Sequence, residues 1–228
     1  MMNVLKGVMG GKSGDPLAAY VKLLLRGEGA SITDDTGKTM LVQGTTPPVV
    51  SSTAYKYGSK SIYGAGSSSN LYTAHHADFN VGTGDFCIDF WIKTSQTGYA
   101  SVMGKGNDTG TVYSYVVQLN ATSGTISFLF GGGARTTSTV AVNDGNWHHV
   151  ACSRGSNTYR CFIDGAISGT PTTASASADN TQIFSFIAMP PATYYNKLTG
   201  YLDNVRFTNG HVRYSSDFTP PNEGEYAL

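Results

Sequence analysis

Apolar residues along this chain alternate with polar ones instead of recurring every three or four positions. In "DFCIDFWIKT", Phe86, Ile88, Phe90 and Ile92 fall on one side of an extended backbone, while Cys87, Asp89, Trp91 and Lys93 fall on the other. "KSIYG" and "SNLYT" are shorter alternating pieces, and "YVKLLLR", "TMLVQ", "TVYSYVVQLN", "TISFLF", "TTSTVAV", "TQIFSFIAM" and "GYLDNVRFTNG" read as further strands. Gly, Ser, Asn and Asp clusters separate these pieces, and "TTPPVV" reads as punctuation. Short strands at this spacing, with no helical stripe, predict an all-β fold: a two-sheet antiparallel jelly-roll sandwich. The expected layout is an arm or linker over residues 1–17, one sandwich over 18–222 and a short tail over 223–228.

"NWHHVACSRGSNTYRCFIDG" looks at first like a reactive centre, with two histidines and two cysteines close together. Strand parity argues otherwise. It reads as a hairpin in which His148, Val150 and Cys152 share one face and Trp147, His149 and Ala151 the other, so the two histidines cannot hold one metal. With "RGSN" as the turn, Cys152 is expected opposite Tyr159 and Val150 opposite Cys161, leaving the thiols diagonal within the core.

Composition narrows the function. The 228 residues carry a formal net charge of zero and only 13% charged side chains, so neither nucleic acid nor an anionic membrane has an electrostatic footprint to meet. Neither a membrane-length apolar run nor a signal peptide is apparent, because Lys22 interrupts "LAAYVKLLLR". Three cysteines at irregular spacing do not make a disulfide framework, and folding in a reducing cytosol is expected. "GGKSG" falls short of a phosphate-binding loop, since that motif needs glycine where Lys6 stands.

The set "GDFCIDFWIKT", "DGNWHHVACSRGSNTYRCFIDGA" and "GYLDNVRFTNGHVRYSSDFTPP", in this order, resembles the laminin-G-like domains of the concanavalin A-like lectin/glucanase superfamily. The version found in bacteriophage structural and tail proteins is the nearest in character. The resemblance spans about residues 20 to 221. It implies a binding role on a virion, as a head decoration, fibre or tail appendage. The arm would contact other virion proteins, the protein would form a homo-oligomer assembled in the host cytoplasm, and host-surface polysaccharide would be a partner.

Related domains often bind one structural calcium ion at the rim of the sandwich. Here Glu28, Asp34 and Asp35 of "GEGASITDDTGK", with Asp203 of "GYLDNVRF", are the candidate ligands. The alternative is that Asp34 and Asp35 simply form a β-turn with Gly37. For a glycan, which wants an aromatic ring beside amides and carboxylates, the candidates are Tyr99, Asn107, Asp108, Tyr194, Tyr195 and Asn196, with Gln96 close to Tyr99. Each tyrosine could equally be a packing residue. His75 and His76 are expected at the surface.

Catalysis is not expected. Retaining glycanases need two carboxylates roughly 5 to 5.5 Å apart. The three glutamates, Glu28, Glu223 and Glu225, leave residues 29 to 222 without one, and Asp85 sits at a strand entry, poorly placed to pair with Asp89. No G-x-S-x-G elbow is present. The alternatives to a virion protein are a cell-encoded carbohydrate-binding module and, less favoured, a glycanase or lyase of the same fold.

Overall fold

The computed structural model describes residues 14–67, 69–106, 113–189 and 196–228. The early strands are β1 (Val21–Leu25), β2 (Leu41–Gln43), β3 (Val49–Ser51), β4 (Ser61–Ala65) and β5 (Asn70–Thr73). Then come β6 (Phe86–Lys93), β7 (Ala100–Gly106), β8 (Tyr113–Leu119), β9 (Thr125–Phe130) and β10 (Gly133–Ala141). The rest are β11 (Trp147–Gly155), β12 (Thr158–Ile163), β13 (Ala166–Ile167), β14 (Thr172–Thr173), β15 (Phe184–Phe186) and β16 (Thr199–Asn209).

These strands make two antiparallel sheets, as the alternation predicts. The larger runs β13-β12-β11-β6-β16-β4-β3, with β1 also paired to β16 and β14 to β12; the smaller runs β10-β9-β8-β7-β15-β5-β2. Inward residues of both sheets form one core. Phe86, Ile88, Phe90 and Ile92 meet Tyr115, Val117, Phe128 and Phe130 there, all fully buried. Phe86 sits among the rings of Tyr115, Phe128, Phe130 and Phe207, with centroids 5.6 to 6.1 Å away.

Two sequence expectations need correction. "TTPPVV" is not only punctuation, because its last two residues begin the edge strand β3, paired with β4. The hairpin register also differs. The turn is Ser156 and Asn157, one residue further along than the expected Gly155 and Ser156, and both are at positive φ (49° and 62°), the two-residue geometry whose twist matches its flanking strands. Cys152 therefore lies directly opposite Cys161, and Val150 opposite Ile163. Parity holds: both thiols are free, buried and inside the core.

The outward side of β6 is buried as well, and there the sheet carries charge. Arg206 of β16 donates from Nε and Nη2 to the two oxygens of Asp89 at 3.0 and 2.8 Å. Its Nη1 reaches Asp15 at 2.9 Å and the Glu225 carbonyl at 3.0 Å, and the guanidinium lies 4.5 Å from the centre of the Tyr226 ring. Arg213 closes on Asp15 with two further bonds of 2.8 and 2.9 Å. Burial opposes ionisation of Asp89, but the Arg206 guanidinium overrides it and holds the carboxyl well below the usual range.

This cluster ties both ends of the described chain to the sheet. Asp15 N–H donates to the Ala227 carbonyl at 2.9 Å, and Tyr226 of the short helix Glu223–Tyr226 is fully buried against Val21, Leu24 and Trp91. Residues 15 and 226, expected in the arm and the tail, thus pack on the sandwich; residues 1–13 lie outside the described residues.

Removing one partner of a buried ion pair leaves uncompensated charge, so Arg206→Met should destabilise the fold by about 3–5 kcal/mol. Urea unfolding would measure it, and a loss below about 1 kcal/mol would show that Asp89 and Asp15 find other compensation.

Candidate functional site

The outward face of the larger sheet is covered in one half and open in the other. In the open half, register aligns four side chains across neighbouring strands. Tyr63 of β4 pairs with Tyr201 of β16, Tyr201 with Lys93 of β6, and Lys93 with Trp147 of β11. The four lie opposite their core-facing neighbours Ile62, Leu202 and Ile92, so they point outward together. With strands about 4.8 Å apart, the row is about 14 Å long. Tyr63 and Tyr201 have ring centroids 4.9 Å apart, and Trp147 stands 6.5 Å from Tyr201.

Gly200 keeps the row tight. A Cβ at this position would lie 2.6 Å from the Lys93 carbonyl oxygen, so a larger residue would push β16 off β6.

Two hollows adjoin the row and share Ser95 and Thr199. One, of about 280 Å³, is lined by Tyr63, Lys93, Thr94, Ser95, Gly145, Thr199, Gly200 and Tyr201. The other, of about 550 Å³, is lined by Gly66, Ser95, Gln96, Thr97, Gly98, Lys197 and Thr199. Gln96 pins their rim. Its Nε2 donates to the Tyr99 and Lys197 carbonyls at 3.0 and 2.9 Å, and its Oε1 accepts from Thr199 N–H at 2.7 Å. Thr94 Oγ1 adds a bond to the Thr199 carbonyl at 2.7 Å, and Asn143 Nδ2 one to the Gln96 carbonyl at 3.0 Å.

Of the glycan candidates, Tyr99 and Asn196 are brought to this rim: Gln96 bonds the Tyr99 backbone, and the Asn196 carbonyl accepts from Ser101 N–H at 2.9 Å. Tyr99 is 51% exposed. Asn107, Asp108, Tyr194 and Tyr195 lie outside the described residues. Sequence reasoning did not single out Tyr63, Tyr201 and Trp147 as a candidate surface. Parity gave the orientation of Trp147 and Lys93; what joins the four residues is inter-strand register.

The four calcium candidates each have other partners. Asp34 accepts from the N–H groups of Leu24, Thr36 and Lys38, and its carbonyl accepts from Gly37 N–H at 3.0 Å, which is the β-turn alternative. Asp35 pairs with Arg26, and Glu28 accepts from Ser59 and Lys60 N–H. Asp203 accepts from Lys56 and Tyr57 N–H at 2.8 and 3.2 Å, while its Oδ1 is buried without a partner. Among the described residues, no group of three His, Cys, Asp or Glu side chains is arranged to hold a metal ion.

The histidines separate as parity requires. His148 is bridged by Asp164 at 2.7 Å and Asp144 at 3.0 Å. His149 is fully buried, 3.4 Å from Asp89 and ringed by Trp91, Tyr214 and Phe218. His75 and His76 are exposed.

The family model described as the concanavalin A-like lectin/glucanases superfamily matches residues 65–213. The chain belongs to this superfamily. Among curated proteins, none matches it. Solved structures of similar fold include the binding domain of Paraclostridial Mosquitocidal Protein 1, with a TM-score of 0.67 at 14% identity, covering 85% of this chain and 49% of that one. Domain 4 of AbnA, a GH43 extracellular arabinanase from Geobacillus stearothermophilus in complex with arabinotriose, has a TM-score of 0.66 at 14% identity, covering 84% of this chain and 93% of that one. The binding domain of botulinum neurotoxin DC in complex with SialylT has a TM-score of 0.60 at 12% identity, covering 83% of this chain and 47% of that one. This member of the superfamily thus spans about half the length of the two toxin chains. At these identities the likeness is one of fold.

Asp203 supplies a pH test. Burial raises its carboxyl to about 7, against the lowering effect of the Lys56, Tyr57 and Asn204 amides. Below about pH 4, its unfolded value, both states hold the proton. As pH rises to about 7 the unfolded chain releases that proton first, so stability falls through this window and the loss is complete above it. Asp203→Asn keeps an acceptor for the amides and removes the titration. Melting curves from pH 4 to pH 8 should therefore show the variant gaining on the parent as pH rises, by up to about 4 kcal/mol. Parallel curves would show that Asp203 is ionised in the fold throughout.

Proposed function

We propose that this chain is a non-enzymatic binding domain that engages host-surface polysaccharide through the row Tyr63–Tyr201–Lys93–Trp147. The alignment of three aromatic side chains beside two polar hollows carries this reading. Ring faces take the apolar side of a pyranose, and the Gln96, Thr97 and Thr199 surroundings offer hydrogen bonds to hydroxyls. The row is as long as a short oligosaccharide.

Among the described residues that line the two hollows there is no carboxylate, which favours holding a sugar over cleaving it. Two structures of similar fold add weight, one in complex with arabinotriose and one with SialylT. The setting we propose is a bacteriophage particle, with the sandwich facing outward and residues 1–17 contacting other virion proteins in a homo-oligomer. It is supported by the resemblance of the three long motifs to phage tail and structural domains.

Tyr201→Ala and Trp147→Ala are the direct test. Each should weaken binding to host-envelope polysaccharide at least tenfold in calorimetry, since an aromatic contact is worth about 0.5–1.5 kcal/mol beyond the area it buries. Far-ultraviolet circular dichroism should show both variants folded. Undiminished affinity in both would place the sugar elsewhere.

A further inference from the structure

Resting on the reading just given, we infer that the groove is specific for anionic saccharides, with Lys93 as the residue that selects the acidic sugar. Lys93 stands between two aromatic neighbours, Tyr201 and Trp147, in adjacent strands. It also lines the smaller hollow. Its ammonium has three donors, and the structure engages one of them, on the Gly145 carbonyl.

Among the described residues, no carboxylate is paired with Lys93. The salt bridges among the described residues take up Arg26, Lys38, His76, His148, His149, Arg206 and Arg213, and not this lysine. Asp144, next in the chain to Gly145, is engaged by Asn146 and His148. Among the described residues, neither hollow has an acidic side chain in its lining, and Lys93 brings a cation to the smaller one.

Such a groove discriminates between sugars that stack equally well. A neutral pyranose meets the rings and leaves the ammonium to water. A uronate or sialate of the same shape meets the rings and also accepts a charge-assisted hydrogen bond in a partly dry site. The aromatic residues then supply affinity for any pyranose, and Lys93 supplies the preference among them. A bond of this kind contributes about 1.5–3 kcal/mol, which is about tenfold or more in affinity.

The experiment is a panel of matched saccharide pairs, differing only in a carboxylate against a hydroxymethyl group or in the presence of a terminal sialic acid. Binding is measured with the full chain, Lys93→Met and Tyr201→Ala. The parent should bind the acidic members at least tenfold more tightly, and the ratio should shrink as salt rises. Lys93→Met, which keeps the length of the apolar stem, should bring the ratio of acidic to neutral affinity near one. Tyr201→Ala should weaken both members alike. Equal binding of acidic and neutral members by the parent, or an acidic preference that survives in Lys93→Met, would overturn the assignment and leave the glycan-binding reading in place. Binding of no member would remove the reading itself.

Discussion

A guanidinium held under the ends of the chain sets the geometry on which the rest depends. Arg206 reaches the outward face of the larger sheet because β16 carries a bulge. The pairing with β6 runs Asp203↔Trp91 and resumes at Arg206↔Asp89, with Asn204 at a φ of 47° in the step between. That extra residue lets Asp203 and Arg206, three apart, both point outward, while Leu202, Val205 and Phe207 stay in the core. Without the bulge, Arg206 would fall opposite Ile88 and face the core in the place that Phe207 now takes. The two-pronged bond to Asp89 therefore acts as a register lock, and a slip of one residue would break it.

The candidate ligand surface follows from the same lock. Tyr201 and Lys93 lie on the strands that Arg206 and Asp89 join, so the register that pairs the ions also pairs Tyr201 with Lys93. The ends of the chain decide how much of this face is open. They bury Cys87, Asp89, Trp91 and His149. The Tyr63–Tyr201–Lys93–Trp147 row is left at the margin of that cover. The candidate surface thus lies where the cover ends, on a strip backed by the sheet beneath it.

Much of the fold could be read from alternation alone. The inward set Phe86, Ile88, Phe90 and Ile92 and the opposed directions of His148 and His149 follow from a period of two, which survives in any pairing. Register does not. The Cys152–Cys161 pairing hinged on which two residues made the turn, and Ser156 and Asn157 adopt positive φ one place beyond the Gly155–Ser156 pair that the sequence offers. In sequence Asp89 stands only on the side of its strand opposite the apolar set, and nothing local says that Arg206 meets it or that the chain ends return to cover both. The same blindness hid the proposed ligand row, whose four members come from strands up to 138 positions apart in the chain (Tyr63 to Tyr201). The loops that were singled out did contain Tyr99 and Asn196, at the rim of the larger hollow.

The most direct test of this account is to see where a sugar sits. Backbone amide shifts of the labelled protein should be recorded while an acidic oligosaccharide that binds it is titrated in. The account predicts that the largest changes fall on Tyr63, Lys93, Ser95, Trp147 and Tyr201, with the outward face of the smaller sheet unmoved. Changes centred on β8 and β9, with that row unmoved, would contradict it.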